Sequence, residues 1–251
     1  MDHSEIAKSG YANEHWLVDL INHKPNSASV RSFLNHIGWD NVRYTKPTAY
    51  RKGGTEKADI GIDFWRNDND WPDSHYISCK KIESSNHNGL GHIHKTTVES
   101  YQSKWNFDNI IKRCLDVYCG NILYENQKGL YFEHVYYKPY RVYISNFFAD
   151  NIDTILGDLF KGKSVTKPSW FTVTLKTGED SRILYLFDIE DVIKYAKGDG
   201  KVYYGKNITK QNLCIGNIMM YSKRSDGQLQ FKMNYKPMLK TLGNRARIFY
   251  F

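Results

Sequence analysis

Two short segments of the sequence carry side chains that could do chemistry together. "KADIGIDFW" places Asp59 at the head of an apolar strand, and "HYISCKKIE", after a polar interruption, carries Lys80 in the middle of a second strand. A lysine at mid-strand is poorly suited to a hydrophobic core. An aspartate at a strand start with a lysine on the next strand is how a divalent-metal nuclease builds its centre, because the metal and the amine act on one phosphate.

A third acidic residue, Glu14, lies on the first predicted helix, whose opposite face is apolar. Magnesium needs few protein oxygens, so one or two carboxylates and a backbone carbonyl suffice to hold it. A lysine beside the metal orients the attacking water or stabilises the charge that develops on the phosphate. A purely structural interpretation is also open: it pairs Asp59 with Lys57 or Arg51 and lets Lys80 extend its amine into water.

The period of a β-strand limits which lysine can take part. Alternation puts Ser78 and Lys80 on one face of the second strand, and Cys79 and Lys81 on the other. Only one of the two lysines can therefore face Asp59.

Composition restricts the class of protein. The chain has 251 residues, of which 41% are hydrophobic and 25% charged, and its mean hydropathy is −0.61. No apolar run is long enough for a membrane span, and no basic–apolar segment predicts a secretory signal. The four cysteines lack C-x-x-C spacing, so we expect reduced thiols in a cytoplasmic protein. A net charge of +8 and a pI near 9.1 are compatible with a polyanionic partner such as nucleic acid.

Hydrophobic periodicity predicts alternating helices and strands without a composition break. The expected helices are 11–23, 27–38, 96–120, 151–162 and 189–196, and the expected strands are 58–65, 75–83, 141–147, 170–177, 182–189, 217–224 and 229–235. Residues 43–57 are predicted to form a basic loop and residues 84–95 a glycine- and histidine-rich loop. This pattern favours one α/β domain over residues 1–251.

The segments "KSGYANEHWLVDLI", "KADIGIDF", "YISCKKIESSNHNGLGHIHK" and "SYQSKWNFDNIIKRCL" resemble, in order and spacing, the PD-(D/E)XK type II restriction endonucleases. The resemblance is strongest to HinP-type members, which cut a four-base GC-only palindrome, and it continues to "LQFKMNYKPML". It implies a single α/β domain with a mixed central β-sheet flanked by helices. It also implies sequence-specific, Mg²⁺-dependent hydrolysis of double-stranded DNA at a GCGC-like site, with one or two ions per active site and 5′-phosphate products.

The resemblance further implies a monomer or weak homodimer that does not bind membranes. A companion DNA methyltransferase is expected to be encoded nearby rather than to form a stable complex.

The resemblance assigns roles to individual residues. Asp59 matches the metal-binding aspartate, Lys80 the catalytic lysine, and Glu14 the helix acid that supports the metal site. Ser78 stands where the family has Glu, Asp or Gln, and a serine could reach a metal only through water. The metal set implied is therefore Asp59, Glu14 and the carbonyl of Cys79.

An alternative alignment shifts the motif by one residue. Lys81 is then the active lysine and Cys79 occupies the acid position. Strand alternation alone leaves both alignments open.

DNA contacts are expected from three segments. In the relatives, the loop after the lysine strand and the last hairpin supply base contacts, and His92 and the region around Ser222 stand at the corresponding places. The third segment is the basic loop 43–57, which is expected to bind phosphates through Lys46, Arg51 and Lys52. The DNA-binding candidates are Asn88, His92, His94, Lys95, Ser222, Lys223, Arg224, Lys46, Arg51 and Lys52.

The sequence leaves three alternative interpretations open. His87, His92 and His94 could form a zinc site, although no cysteine is paired with them. The chain could be a catalytically idle DNA-binding module, because Ser78 replaces the usual acid. It could also be a repair or RNA-directed nuclease on the same fold.

Overall fold

A computed structural model describes residues 3–53, 57–67, 70–82, 89–178, 181–206 and 211–251, with side chains from residue 11 onward. The chain forms two compact units. Unit 1 comprises Met1–Gly89, Phe160–Val192 and Tyr235–Phe251, and unit 2 comprises Leu90–Leu159 and Ile193–Asn234.

The elements are numbered in chain order. The helices are α1 (His3–His23), α2 (Ala28–His36), α3 (Val98–Trp105), α4 (Asn109–Cys119), α5 (Arg141–Asp150), α6 (Ile152–Phe160), α7 (Ile189–Lys197) and α8 (Tyr235–Leu242). The strands are β1 (Lys46–Arg51), β2 (Ile60–Trp65), β3 (Asp73–Ile82), β4 (Leu90–Thr97), β5 (Trp170–Lys176), β6 (Arg182–Asp188), β7 (Val202–Tyr204), β8 (Leu213–Ile215), β9 (Ile218–Lys223), β10 (Gln228–Asn234) and β11 (Arg247–Tyr250).

Unit 1 is built on a mixed β-sheet with the strand order β1-β2-β3-β5-β6-β11. Strands β3 and β5 are parallel, and the other neighbouring pairs are antiparallel. The predicted α/β fold class with a mixed sheet is therefore confirmed. Apolar side chains of α1, α2 and the sheet form one core, with Leu17, Phe33, Ile60 and Ile77 at most 1% exposed.

The first two helices follow their sequence signals. Leu17 and Ile21 of α1 are buried at i,i+4 spacing, as are Val30 and Leu34 of α2. Helix α2 ends close to the predicted stop, Gly38, which has a φ of +114° that favours glycine. Helix α1 starts at His3 rather than near residue 11, so its predicted start was wrong.

Strands β2 and β3 form the predicted antiparallel hairpin, with Ile60 opposite Ile77. Ile60, Ile62 and Phe64 are fully buried on one face of β2. The intervening residues therefore lie on the opposite face, and Asp59, directly before β2, continues this alternation.

Residues 46–51 were predicted as loop, and this was wrong because they form the edge strand β1 beside β2. The side-chain amide of Asn22 on α1 donates to the carbonyl of Ala49 at 2.8 Å and accepts from its N–H at 2.8 Å. Helix α1 thereby satisfies the N–H and the carbonyl of Ala49 on the sheet edge, where a proline such as Pro47 is tolerated.

Unit 2 contains an antiparallel sheet with the strand order β4-β10-β9-β8-β7. Residues 90–95 were predicted as loop, and this was wrong because they belong to β4, which pairs with β10. The register shifts at Ile93: His94 pairs with Phe231 whereas His92 pairs with the next residue, Lys232. This β-bulge places the two histidines on opposite faces of the sheet.

Two further predictions failed in unit 2. The expected long helix over 96–120 is two helices, because Asn106 adopts a left-handed conformation (φ 55°) and Asp108 caps a new helix through the N–H of Ile111. Residues 141–147 form helix α5 rather than a strand. Ile144 and Phe148 are both fully buried, which is the i,i+4 spacing of a helix.

Gly61 holds β2 close to a tyrosine of β1. A Cβ at this position would lie 2.5 Å from the ring of Tyr50, whose hydroxyl donates to Asp63 at 3.2 Å. We expect Gly61→Ala to lower the free energy of unfolding by about 1–3 kcal/mol, because the ring must move from its place. Urea unfolding measures this change.

Gly157→Ala is the matched control, because Gly157 lies inside α6 and nothing lies within 4 Å of its added Cβ. That variant should be as stable as the wild type or more stable. Equal stability of Gly61→Ala and the wild type would show that Tyr50 does not constrain β2.

Candidate active site

The Asp59 carboxylate joins the two strands of the hairpin at one atom. Its Oδ2 accepts three hydrogen bonds. The donors are the backbone N–H of Cys79 at 2.5 Å, the hydroxyl of Ser78 at 3.1 Å and the amine of Lys80 at 3.1 Å. A carboxylate held by a strand N–H, a hydroxyl and a cation has a fixed orientation.

Strand alternation decides which lysine takes part. Ser78 and Lys80 both bind Asp59 and so share one face of β3, as predicted. The thiol side of Cys79 packs into the core of unit 1, and burial raises the pKa of that thiol. Lys81 follows Cys79 in the alternation, so the geometry favours the alignment with Lys80.

The Lys80 amine is a charged hydrogen-bond donor. Its side chain is 19% exposed and that of Asp59 is 25% exposed. Burial alone would lower the pKa of Lys80, but the neighbouring Asp59 carboxylate outweighs it, and the pKa lies above its usual value. The amine is therefore protonated at neutral pH and can stabilise negative charge.

Glu14 reaches the same cleft from α1. Its Oε2 accepts hydrogen bonds from Nε of Arg51 at 3.0 Å, and Nη2 of Arg51 also lies 3.0 Å away. Burial and the charge of Asp59 raise the pKa of Glu14, while Arg51 and Lys80 partly oppose the shift. The two carboxylates are thus close enough to repel each other.

The cleft has a volume of about 340 Å³ and is lined by Tyr11, Glu14, Arg51, Lys52, Gly53, Ala58 and Asp59. Among the described residues, Oδ1 of Asp59 and Oε1 of Glu14 have no hydrogen-bond donor. Two repelling carboxylates that each leave one oxygen open match the hard oxygen ligands that Mg²⁺ prefers.

Within the residues that the structure describes, no three or more His, Cys, Asp or Glu side chains are grouped so that they could hold a metal ion. A cation in the cleft would therefore depend on the two carboxylates, a backbone carbonyl and water, a donor set that fits magnesium better than zinc. Ser78 donates its hydroxyl to Asp59, so it supports the carboxylate rather than replacing the missing acid.

The basic residues predicted to bind phosphate have different surroundings. Lys46 is exposed at the start of β1. The amine of Lys52 lies 5.6 Å from the ring centre of Tyr76 and 5.9 Å from that of Tyr50. Arg51, in contrast, is engaged by Glu14, a contact between residues 37 positions apart that the sequence does not signal.

The predicted base-reading residues of β4 lie in unit 2. His92 and Lys95 are exposed. His94 is half-buried, and its Nδ1 lies 2.6 Å from the hydroxyl of Tyr101 on α3. Asn88 and the proposed zinc ligand His87 lie outside the described residues.

The hairpin between β9 and β10 carries the remaining candidates. Ser222 is half-buried opposite Leu229, and Lys223 is paired with Asp226. The guanidinium of Arg224 lies 4.1 Å from the ring centre of Tyr131 within unit 2. A base contact by Arg224 stays a prediction.

The cysteines and the lengths of the apolar helices can be compared with the expectations from the sequence. The four cysteines are buried and unpaired. Over the described residues, no helix is both long and apolar enough to cross a membrane.

Comparison with known proteins places these features in a family. A model of the R.HinP1I restriction endonuclease family matches residues 38–237, a range that includes Asp59, Ser78 and Lys80 but not Glu14. The crystal structure of restriction endonuclease MspI in complex with its cognate DNA superposes with a TM-score of 0.52 at 14% identity, covering 92% of this chain and 93% of that chain. At this identity the likeness shows the fold alone. No curated protein sequence matches the chain significantly.

Replacing Glu14 with glutamine tests the electrostatics of the cleft. The pKa of Glu14 is raised above its ordinary value of 4.5, so the stabilisation from its protonated form is present below that value and is lost as pH rises through the folded-state pKa. Glutamine does not titrate. We therefore expect the free energy of unfolding of the wild type, relative to Glu14→Gln, to fall as pH rises.

Urea unfolding at a series of pH values measures this difference. In an Asp59→Asn background the pH dependence should shrink but persist, because burial, the larger cause of the raised pKa of Glu14, remains while the charge of Asp59 is removed. A difference that stays constant across the pH range would contradict the raised pKa of Glu14. A dependence that Asp59→Asn leaves unchanged would contradict the proximity of the two carboxylates.

Proposed function

Since this chain belongs to the R.HinP1I restriction endonuclease family and is a type II site-specific deoxyribonuclease, we propose that it hydrolyses double-stranded DNA at a short palindrome. The proposed target is GC-rich and GCGC-like, the proposed cofactor is Mg²⁺, and the proposed products carry 5′-phosphates. The observation that carries this proposal is the ion pair of Lys80 and Asp59. Nζ of Lys80 lies 3.1 Å from Oδ2 of Asp59, and Asp59 and Glu14 line the same cleft. In a PD-(D/E)XK fold, a scissile phosphate bound at this ion pair would contact both a metal cation and the lysine amine.

The proposed cation ligands are Asp59, Glu14 and the backbone carbonyl of Cys79, with one or two ions per active site. When bound, Mg²⁺ supplies a Lewis acid that polarises the phosphate and lowers the pKa of the attacking water. The orientation of Asp59 supports this assignment, because its Oδ2 is saturated by donors while Oδ1 faces no donor in the described structure.

Lys80 is proposed to act as a fixed cation next to the scissile phosphate. Its protonated amine orients the attacking water and stabilises the negative charge that builds up on the phosphate oxygens. The water oxygen forms a bond to phosphorus and releases its proton to solvent, while the bond between phosphorus and the 3′ oxygen breaks. The 3′ oxygen takes up a proton from water, and the phosphate stays on the 5′ end. Ser78 is proposed to keep Asp59 in place, which would let the site work without the acid that the family usually has there.

Sequence recognition is proposed to come from other parts of the chain, because hydrolysis itself is not base-specific. Exposed His92 and Lys95 on β4 are the candidates best placed for solvent-accessible contacts, and Lys46 and Lys52 are proposed to bind phosphates. The proposed DNA-binding set is completed by Arg51, Asn88, His94, Ser222, Lys223 and Arg224.

The biological setting is proposed to be a restriction–modification system in the cytoplasm. We propose that the chain works as a single domain over residues 1–251, as a monomer or weak homodimer. A methyltransferase gene beside this one would support the assignment at little cost.

Exchanging the two neighbouring lysines for alanine identifies the active amine. We expect Lys80→Ala and Asp59→Ala to lower the rate of plasmid cleavage by at least about 10²–10³-fold, because each removes a charge that acts in the transition state. Lys81→Ala is the matched control on the opposite face of β3 and should cleave near the wild-type rate. The reverse ranking of the lysines would select the shifted alignment.

Digestion of a sequenced phage genome, followed by mapping of fragment ends, tests activity and target together. We expect discrete fragments whose ends share one short GC-rich palindrome and carry 5′-phosphates, and we expect EDTA to abolish cleavage. Retarded DNA on gels without cleavage at any Mg²⁺ or Mn²⁺ concentration would instead identify a catalytically idle binding module. Cleavage confined to structured or single-stranded substrates would favour a repair nuclease.

A further inference from the structure

All three nitrogens of the Arg51 guanidinium are engaged within unit 1. Nε and Nη2 each lie 3.0 Å from Oε2 of Glu14, and Nη1 lies 2.9 Å from Nε2 of His15. The guanidinium carbon is 4.8 Å from the ring centre of Tyr11. Glu14, His15 and Tyr11 all belong to α1, so this helix holds the guanidinium at the cleft.

The pair is partly shielded from water. The side chain of Arg51 is 30% exposed and that of Glu14 is 13% exposed. A charge-assisted contact to a carboxylate in such surroundings is stronger than an ion pair on an open surface, because water screens it less.

Each carboxylate at the cleft is already paired with a positive charge. Arg51 contacts Glu14, Lys80 contacts Asp59, and Lys52 also lines the cleft. A divalent cation placed between the carboxylates would therefore meet negative charge that is already compensated. It would gain little from Glu14 as long as the guanidinium stays in place.

We infer that Arg51 is a built-in competitor of the divalent cation for the Glu14 carboxylate. Arg51 binds Oε2 of Glu14 and thereby lowers the affinity of this carboxylate for the cation that the proposed function requires. It acts on the cation only through Glu14.

A merely structural role for Arg51 predicts the opposite change in cation affinity when Arg51 is replaced. If the guanidinium only holds Glu14 in the orientation that the cation needs, its removal leaves the carboxylate mobile and weakens cation binding. If Arg51 competes, its removal leaves a shielded carboxylate without a countercharge, and cation binding becomes stronger. The direction of the change in affinity therefore separates the two roles without any measurement of cleavage.

Mn²⁺ binding to the full-length protein without DNA, followed by the paramagnetic resonance of free Mn²⁺ at about pH 8, where carboxyl groups are ionised, provides the test. We expect Arg51→Met to bind Mn²⁺ at least about fivefold more tightly than the wild type, the lower end of typical coupling between sites. Arg51→Lys keeps the charge with fewer donors and should lie between the two. Arg31→Met removes an exposed positive charge from α2 and should leave the affinity unchanged.

Unchanged or weaker Mn²⁺ binding by Arg51→Met would overturn the inference. Circular dichroism establishes that the variant is folded, and if it is not, the comparison of Arg51→Lys with the wild type carries the test. Asp59→Asn tests the proposed metal site separately from the role of Arg51, because this variant should abolish Mn²⁺ binding at the site. If Asp59→Asn binds Mn²⁺ as well as the wild type, the proposed metal site itself is wrong, and the role of Arg51 falls with it.

Discussion

The structure of the proposed active site depends on one carboxylate oxygen. Oδ2 of Asp59 accepts a backbone N–H, a hydroxyl and an amine from three successive residues of β3. This convergence fixes the rotamer of Asp59, holds Lys80 in its charged form and leaves the second oxygen of the carboxylate directed elsewhere. A shift of β3 by one residue would turn Lys80 away and bring the side chain of Cys79 to the Asp59 face.

The surrounding elements of unit 1 maintain that convergence. Antiparallel pairing with β2 and parallel pairing with β5 hold β3 on both sides, so its register is fixed from two directions. Helix α1 contributes twice, because Asn22 binds the edge of β1 while Glu14 enters the cleft. Unit 2 carries most of the residues proposed to read DNA on a sheet of its own. Under the proposed function, the chain would therefore carry hydrolysis and recognition on separate sheets.

The sequence predicted local features well and long-range ones poorly. The hairpin of β2 and β3 and the shared face of Ser78 and Lys80 followed from alternation alone, since side-chain period is a local property. Strand β4 was missed because its pairing partner, β10, lies far along the chain and its Gly-His composition resembles a loop. The apparent strand over residues 141–147 was helical because burial of Ile144 and Phe148, rather than intrinsic propensity, decided its conformation. No local pattern signals the contact of Glu14 with Arg51.

The central claim is that Asp59 and Glu14 jointly bind the catalytic cation through the oxygens that the protein leaves open. Anomalous diffraction from crystals soaked in Mn²⁺ tests it most directly. We expect an anomalous peak in direct contact with both Oδ1 of Asp59 and a carboxylate oxygen of Glu14, close to the distance of about 2.0–2.1 Å at which oxygen ligands bind Mg²⁺. A fully occupied peak elsewhere, with both carboxylates uncoordinated and Arg51 still on Glu14, would contradict it.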